Sequence, residues 1–228
     1  MRHRLTSESP HFTNSCGQRV VAVSAGDYHS HAITADGAVW SWGSNMFNVL
    51  GNGDEPDRYL MPQRIDAFNG RRVVAVSTKQ YHSIAITVDG SAWTWGAIDL
   101  RGGAIELLGR SVPRRTSPAS ASMPQKITSI AGQRVVAVSA GAQSTLVLTS
   151  DGGLWSCGLG HQGTLGHGSF HNKRLLKKID ALAGRRVVAI SAGDLQSLAR
   201  TADGATFSWG KMRPSAARYD LRPKQIEA

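Results

Sequence analysis

Only two cysteines, Cys16 and Cys157, occur in the 228 residues, and no C-x-x-C pair or Cys/His ligand spacing accompanies them. That excludes a disulfide framework and points to a reducing compartment, so the chain is expected to be intracellular, cytoplasmic or nuclear. Long apolar runs are missing, so no stretch spans a bilayer and no membrane partner is expected. Residues 1–16, MRHRLTSESPHFTNSC, lack the apolar core of a signal peptide and match an organelle transit peptide weakly, so they are read as a tail. Acidic residues are scarce: 16 Asp and Glu stand against 26 Lys and Arg, for a formal net charge of +10. This excess favours acidic partners. Its residues come as scattered pairs, Arg71-Arg72, Arg114-Arg115, Lys173-Arg174, Lys177-Lys178 and Arg185-Arg186. Such pairs fit solvated connections better than a continuous nucleic-acid or chromatin-binding stripe. Motifs of the form G-x-S-x-G, H-E-x-x-H and G-x-x-x-x-G-K-[ST] are absent, so no catalytic residue and no cofactor are expected. His161, His167 and His171 lie close in sequence, but glycines between them leave them unpositioned, and no metal site is expected.

What the chain does have is glycine, 25 residues of it, and repetition. The stretch from Arg19 to Gly43, RVVAVSAGDYHSHAITADGAVWSWG, returns three times, beginning again at Arg72, Arg134 and Arg186, at steps of 53, 62 and 52 residues. Each copy opens with VVAVSAG or a variant, VVAVSTK in the second and VVAISAG in the fourth. A short apolar run follows: HSHAIT, HSIAIT, STLVLT or QSLART. An Asp-Gly turn comes next, at Asp36, Asp89, Asp151 and Asp203. The last shared piece carries large side chains two residues apart: Trp40 and Trp42, Trp93 and Trp95, Trp155 and Cys157, Phe207 and Trp209.

Runs of five or six residues rich in Val, Ile, Thr and Trp suit pleated strands, and Asp-Gly between two of them supplies the positive φ of a tight hairpin. The glycines cut every run shorter than a helix needs. Aromatics two apart share one face of a strand. Cys157, in a Trp position, reads as a small buried hydrophobe. The four Asp are read as shaping their turns. A fourth strand is suggested by MPQRI, MPQKI, LLKKI and RPKQI, which end on Ile65, Ile127, Ile179 and Ile226. Four strands in about fifty residues is the pattern of a propeller blade. The expected fold is therefore all-β, a four-bladed propeller with copies at about 17–70, 71–132, 133–184 and 185–228. A loop nine residues longer than its counterpart in the first copy, AIDLRGGAIELLGRSVPRRTSPASASMPQ, interrupts the second copy. Its composition does not pack on its own.

These residues resemble the regulator of chromosome condensation repeats, or RCC1-like domains. The resemblance rests on Ala25 to His29, the T-x-D-G turns, the W-x-W-G strands, the L-G-x-G of Leu50 to Gly53 and Leu165 to Gly168, and the P-x-x-I segments. It implies seven blades in a full ring, so four copies are expected to form a partial, open propeller able to self-associate through its free blade edges. A tightened four-blade ring and two chains completing each other are the alternatives. The first copy lacks a preceding P-x-x-I strand and the last a following VVAVSAG, so head and tail are complementary.

Function is expected where the chain leaves VVAVSAG, because there the copies differ: Asp27-Tyr28-His29, Gln80-Tyr81-His82, Ala142-Gln143-Ser144 and Asp194-Leu195-Gln196. The resemblance implies that Asp and His in this loop line the partner face of members that exchange nucleotide on the Ran GTPase. In the ultraviolet-B photoreceptors it implies Trp just after the turn, where this chain has Tyr28, Tyr81, Gln143 and Leu195. The expected role is a non-catalytic protein-interaction module with Asp27, Tyr28, His29, Tyr81, His82 and Asp194 as contact candidates. Its expected partner is a protein, an acidic one or a small GTPase. Guanine-nucleotide exchange on a Ran-like GTPase is the alternative, with chromatin association a further expectation of the family.

Overall fold

A computed structural model of the chain describes residues 18–53, 57–97, 122–211 and 219–226. The tail at 1–16 with Cys16, and most of the long loop of the second copy, lie outside these residues. Among the described residues, sixteen strands form four separate four-stranded sheets. The first holds β1 (Val20–Ala25), β2 (His29–Thr34), β3 (Val39–Ser44) and β4 (Arg58–Arg64). The second holds β5 (Val73–Thr78), β6 (His82–Thr87), β7 (Ala92–Gly96) and β8 (Gln125–Lys126). The third holds β9 (Val135–Ala140), β10 (Ser144–Thr149), β11 (Leu154–Gly158) and β12 (Lys173–Lys178). The fourth holds β13 (Val187–Ala192), β14 (Gln196–Thr201), β15 (Thr206–Lys211) and β16 (Tyr219–Gln225). Within each sheet, spatial order equals chain order and every pair is antiparallel. The all-β, partial-propeller expectation is met.

The T-x-D-G turn explains why the hairpins recur. In the second sheet the Thr87 hydroxyl donates to Asp89 at 2.6 Å, and the same carboxylate accepts the Ser91 N–H at 3.0 Å. Gly90 N–H closes the turn on the Thr87 carbonyl at 2.8 Å, with Gly90 at φ 80°. Only the glycine takes positive φ, so the loop has three residues, and the aspartate serves as its hydrogen-bonding centre. Thr34 to Gly37, Thr149 to Gly152 and Thr201 to Gly204 repeat the arrangement.

The sheets are held side by side by three apolar cores, each shared between neighbours. Ile33, Val39, Ile65 and Phe68 of the first sheet meet Val73, Ala85 and Trp95 of the second. Ile84, Ile86, Ile127 and Ile130 meet Val135, Val147 and Cys157. Leu146, Leu148, Leu154, Ile179 and Leu182 meet Val187, Ala199, Phe207 and Trp209. Packing between sheets runs through first and second strands, β1 and β2 on β5, β6 on β9, β10 on β13, while the outer strands diverge. That is a fan, the geometry of adjoining propeller blades. Cys157 is fully buried among these side chains, and burial pushes its thiol pKa well up.

The two ends of the fan do not meet. Strand β16 pairs with β15 and β1 with β2, so the complementary head and tail are not used for closure. Exposure reports the same thing. Val20 is 51% exposed, whereas Val73, Val135 and Val187 at the same register are at most 3%. At the far end Ile226 is 46% exposed against 1–3% for Ile65, Ile127 and Ile179.

Candidate interaction face

The copy-specific loops sit between first and second strands and converge at one end of the fan. Lys79, in the loop after β5, lies 3.5 Å from Asp27 of the first copy and 3.2 Å from Asp194 of the fourth. These loops therefore form one continuous surface. Hydrogen bonding to Asp194 is the main cause of the raised Lys79 pKa, and the charge of Asp27 adds to it. The pairs are partly exposed, so each contributes only about 0–1 kcal/mol. What the cluster chiefly does is fix the carboxylates and leave them as acceptors facing solvent. Asp27 and Asp194 are thus brought together, by a residue that sequence reasoning missed. The departure of VVAVSTK from VVAVSAG was the available signal.

Tyr28 projects from this surface and is 71% exposed. Tyr81 is half-buried, with its ring edge-on to Phe47 at 4.8 Å between centroids. His29 and His82 do not join them, contrary to expectation, because each begins the second strand of its sheet and points into the seam with the next. His82 Nε2 shares a 2.7 Å hydrogen bond with Thr145 of the third sheet. His29 Nε2 bonds the Thr78 hydroxyl of the second. Burial holds the pKa of both down at about 4, with the nearby Asp27 charge partly opposing the shift at His29. His31, wholly buried between His29 and Trp95 in edge-on ring contacts, is likewise held well below the usual imidazole range by burial. These histidines are neutral ties between sheets.

Serine makes a second set of ties. Ser24 accepts the Thr78 N–H at 3.0 Å, Ser77 the Ala140 N–H at 2.9 Å and Ser139 the Ala192 N–H at 2.9 Å. The Ser of each VVAVSAG thereby holds the following copy's inner strand. The L-G-x-G loops make a third set. Trp95 donates from Nε1 to the Val49 carbonyl at 2.7 Å, and Trp209 to the Thr164 carbonyl at 2.7 Å. Gly51 and Gly166, both at positive φ, lie flat against those indoles, where a Cβ would stand 3.0 Å from Nε1. An L-G-x-G loop therefore serves the Trp of the next copy. Cys157 stands in the copy that follows the irregular loop.

Models of the regulator of chromosome condensation (RCC1) repeat match residues 36–86 and 151–200, and a second model of the same repeat matches 20–48 and 135–164. The chain belongs to the RCC1 repeat family. The longer matches run from the third strand of one sheet to the second strand of the next, so each RCC1 repeat as a sequence unit straddles a seam. Among similar proteins, the human E3 ubiquitin-protein ligase HERC2 is 34% identical over 85% of this chain and 4% of its own length. The Ultraviolet-B receptor UVR8 of Arabidopsis thaliana is 34% identical over 85% of this chain and 42% of its own length. The chain thus spans less than half of either relative. The crystal structure of human WBSCR16 superposes with a TM-score of 0.75 at 23% identity, covering 92% of this chain and 55% of that one. This last likeness concerns the fold. Among the described residues no helix is long and apolar enough to cross a membrane.

Proposed function

We propose that these RCC1 repeats act as a non-catalytic protein-interaction module whose docking surface is the converging loop face. Support comes from one observation above all: the recurring polar residues are taken up inside the fold, whereas Tyr28 projects into solvent beside carboxylates whose ion pairs with Lys79 remain partly exposed. The turn aspartates hold hairpins, and the serines and histidines tie seams. Tyr28 stands exposed beside two carboxylates held in place by Lys79. A large aromatic flanked by fixed charges is the side-chain combination that dominates binding hot spots. Within this surface Asp27, Tyr28, Tyr81 and Asp194 are the contact residues.

The same arrangement favours docking over guanine-nucleotide exchange on a Ran-like GTPase. Exchange in this family is expected to use Asp and His of this loop, and here His29 is turned into the seam. The experiment is a photo-crosslinking amino acid at position 28, with one at Leu60 of the outer strand as reference, beside release of labelled GDP from a Ran-like GTPase. The reading predicts a discrete crosslinked partner from position 28, lost on Asp27→Ala and Asp194→Ala, and no accelerated GDP release. Equal labelling from both positions, or catalytic acceleration of release, contradicts it.

A further inference from the structure

The seams share a set of hydrogen bonds in which the later sheet donates and the earlier one accepts. The Val73, Val135 and Val187 N–H groups donate to the turn carbonyls of Gly37, Gly90 and Gly152, at 3.0, 3.0 and 3.2 Å. The Thr78, Ala140 and Ala192 N–H groups donate to the serines of the preceding copies. Between the first and second sheets, and again between the third and fourth, one loop carbonyl accepts twice. Ser83 Oγ and Trp95 Nε1 donate to the Val49 carbonyl at 3.1 and 2.7 Å, and Ser197 Oγ and Trp209 Nε1 to the Thr164 carbonyl at 2.9 and 2.7 Å.

The first sheet carries the donating half of this set, with no earlier sheet to receive it among the described residues. By strand register Val20 and Ala25 hold the places of Val73 and Thr78, and Ser30 and Trp42 those of Ser83 and Trp95. Those four counterparts are at most 5% exposed. Val20 and Ala25, by contrast, are exposed, and Ser30 and Trp42 are half-buried with no hydrogen-bond partner among the described residues. Val20 and Val23 supply the apolar part of the same face.

A face that presents donors is covered without loss only by a surface that presents acceptors, since a donor buried unpaired costs more than its bond gains. Two first sheets set face to face do not meet that condition. The fourth sheet of a second copy does not meet it either. Arg200 and Thr206 stand there in place of an apolar pair, and no Leu-Gly follows Gly210 to bring a loop carbonyl to Trp42. We infer that the open face of the first sheet docks an RCC1 blade of a different polypeptide. That blade brings an apolar seam face, a T-x-D-G turn carbonyl for Val20, a serine on its innermost strand for Ala25, and an x-L-G-x-G loop whose carbonyl receives Ser30 and Trp42. The glycine of its Leu-Gly is required, because at Gly51 and Gly166 a Cβ would stand 3.0 Å from the indole nitrogen. This surface is the side of the fan, separate from the loop face, and is tested independently of it.

The test is a photo-crosslinking amino acid at position 23 of the full chain, activated in extract of the cells that make it, with the linked residues mapped by mass spectrometry. The expected product joins position 23 to the seam face of an RCC1 blade in another polypeptide, next to an x-L-G-x-G loop. Two donors are lost in the double variant Ser30→Ala, Trp42→Phe, so its yield is expected to fall about tenfold or more. Replacing the Leu-Gly glycine of the captured partner by alanine is expected to have the same effect. The mapping and the partner's glycine variant leave this chain's donors untouched, so the result does not depend on how the double variant folds. A link to this chain's own residues, whether in a second copy or at 1–17, overturns the inference. So does a link to a polypeptide without such repeats, or no link.

Discussion

Ser77 accepts a backbone N–H from Ala140, a residue of the neighbouring sheet, in a partly buried seam. Removing that acceptor leaves a donor unsatisfied at a site with little water. Ser77→Ala is therefore expected to lower stability by about 1–2 kcal/mol in urea titrations. Ser191 holds the same place in the fourth copy, is exposed, and ties no further sheet among the described residues. Its alanine variant is expected to stay within about 0.5 kcal/mol of the parent. The seam histidines give a pH signature. Their folded pKa lies below the ordinary value of 6.5, at about 4 for His29 and His82. The unfolded chain therefore binds more protons between those limits, and stability falls as pH drops from about 6.5 through about 4. At about 1.4 kcal/mol per pKa unit, each histidine contributes on the order of 3 kcal/mol of that loss. Urea midpoints at pH 7, 5.5 and 4 check this; a flat profile across that interval contradicts burial of the neutral rings.

Among the elements, the T-x-D-G hairpin was fully legible in sequence, because strand propensity on both sides and glycine at the turn agree. Gly90 sits at φ 80°, where a side chain is strained, and its Cβ would press on the Arg134 side chain. Gly90→Ala is expected to cost about 1–2 kcal/mol, read as a lower thermal midpoint with the fold retained. The Thr87 hydroxyl, followed by the Ser91 N–H, lowers the Asp89 pKa to about 2. A carboxylate depressed in the folded state stabilises above its unfolded pKa, near 4, and that contribution disappears as pH falls through about 2. Asp89→Ala removes this pH dependence. What sequence did not reveal was the direction taken by His29 and His82. A histidine at the start of a strand is equally compatible with the loop face and the seam. Its hydroxyl partners, Thr78 and Thr145, are 49 and 63 residues away. Lys79 escaped for the same reason, since its ion pairs join the first, second and fourth copies across the axis.

At the scale of the whole molecule the two open faces differ in chemistry. The first sheet presents Val20 and Val23, the latter 74% exposed, on the face that in other sheets receives a neighbour. The fourth sheet presents Arg200 opposite Thr206, where the first three carry the apolar pairs Ile33 with Val39, Ile86 with Ala92 and Leu148 with Leu154. One face keeps the character of a seam, and the other is half polar, so head-to-tail stacking of copies would bury an arginine against valine. Repetition made the four sheets and their order legible. The absence of closure between the ends followed from the resemblance, which implies seven blades in a full ring; repetition alone left a tightened ring open as an alternative, because blade angle depends on packing between sheets. The measurement that addresses this arrangement most directly is methyl NMR with a soluble paramagnetic probe. Strong broadening is predicted for the methyls of Val20, Val23 and Ile226, with protection at Val73, Ile65, Ile127 and Ile179. Equal protection of all these methyls would mean that the ends cover each other, and would contradict an open fan of four sheets.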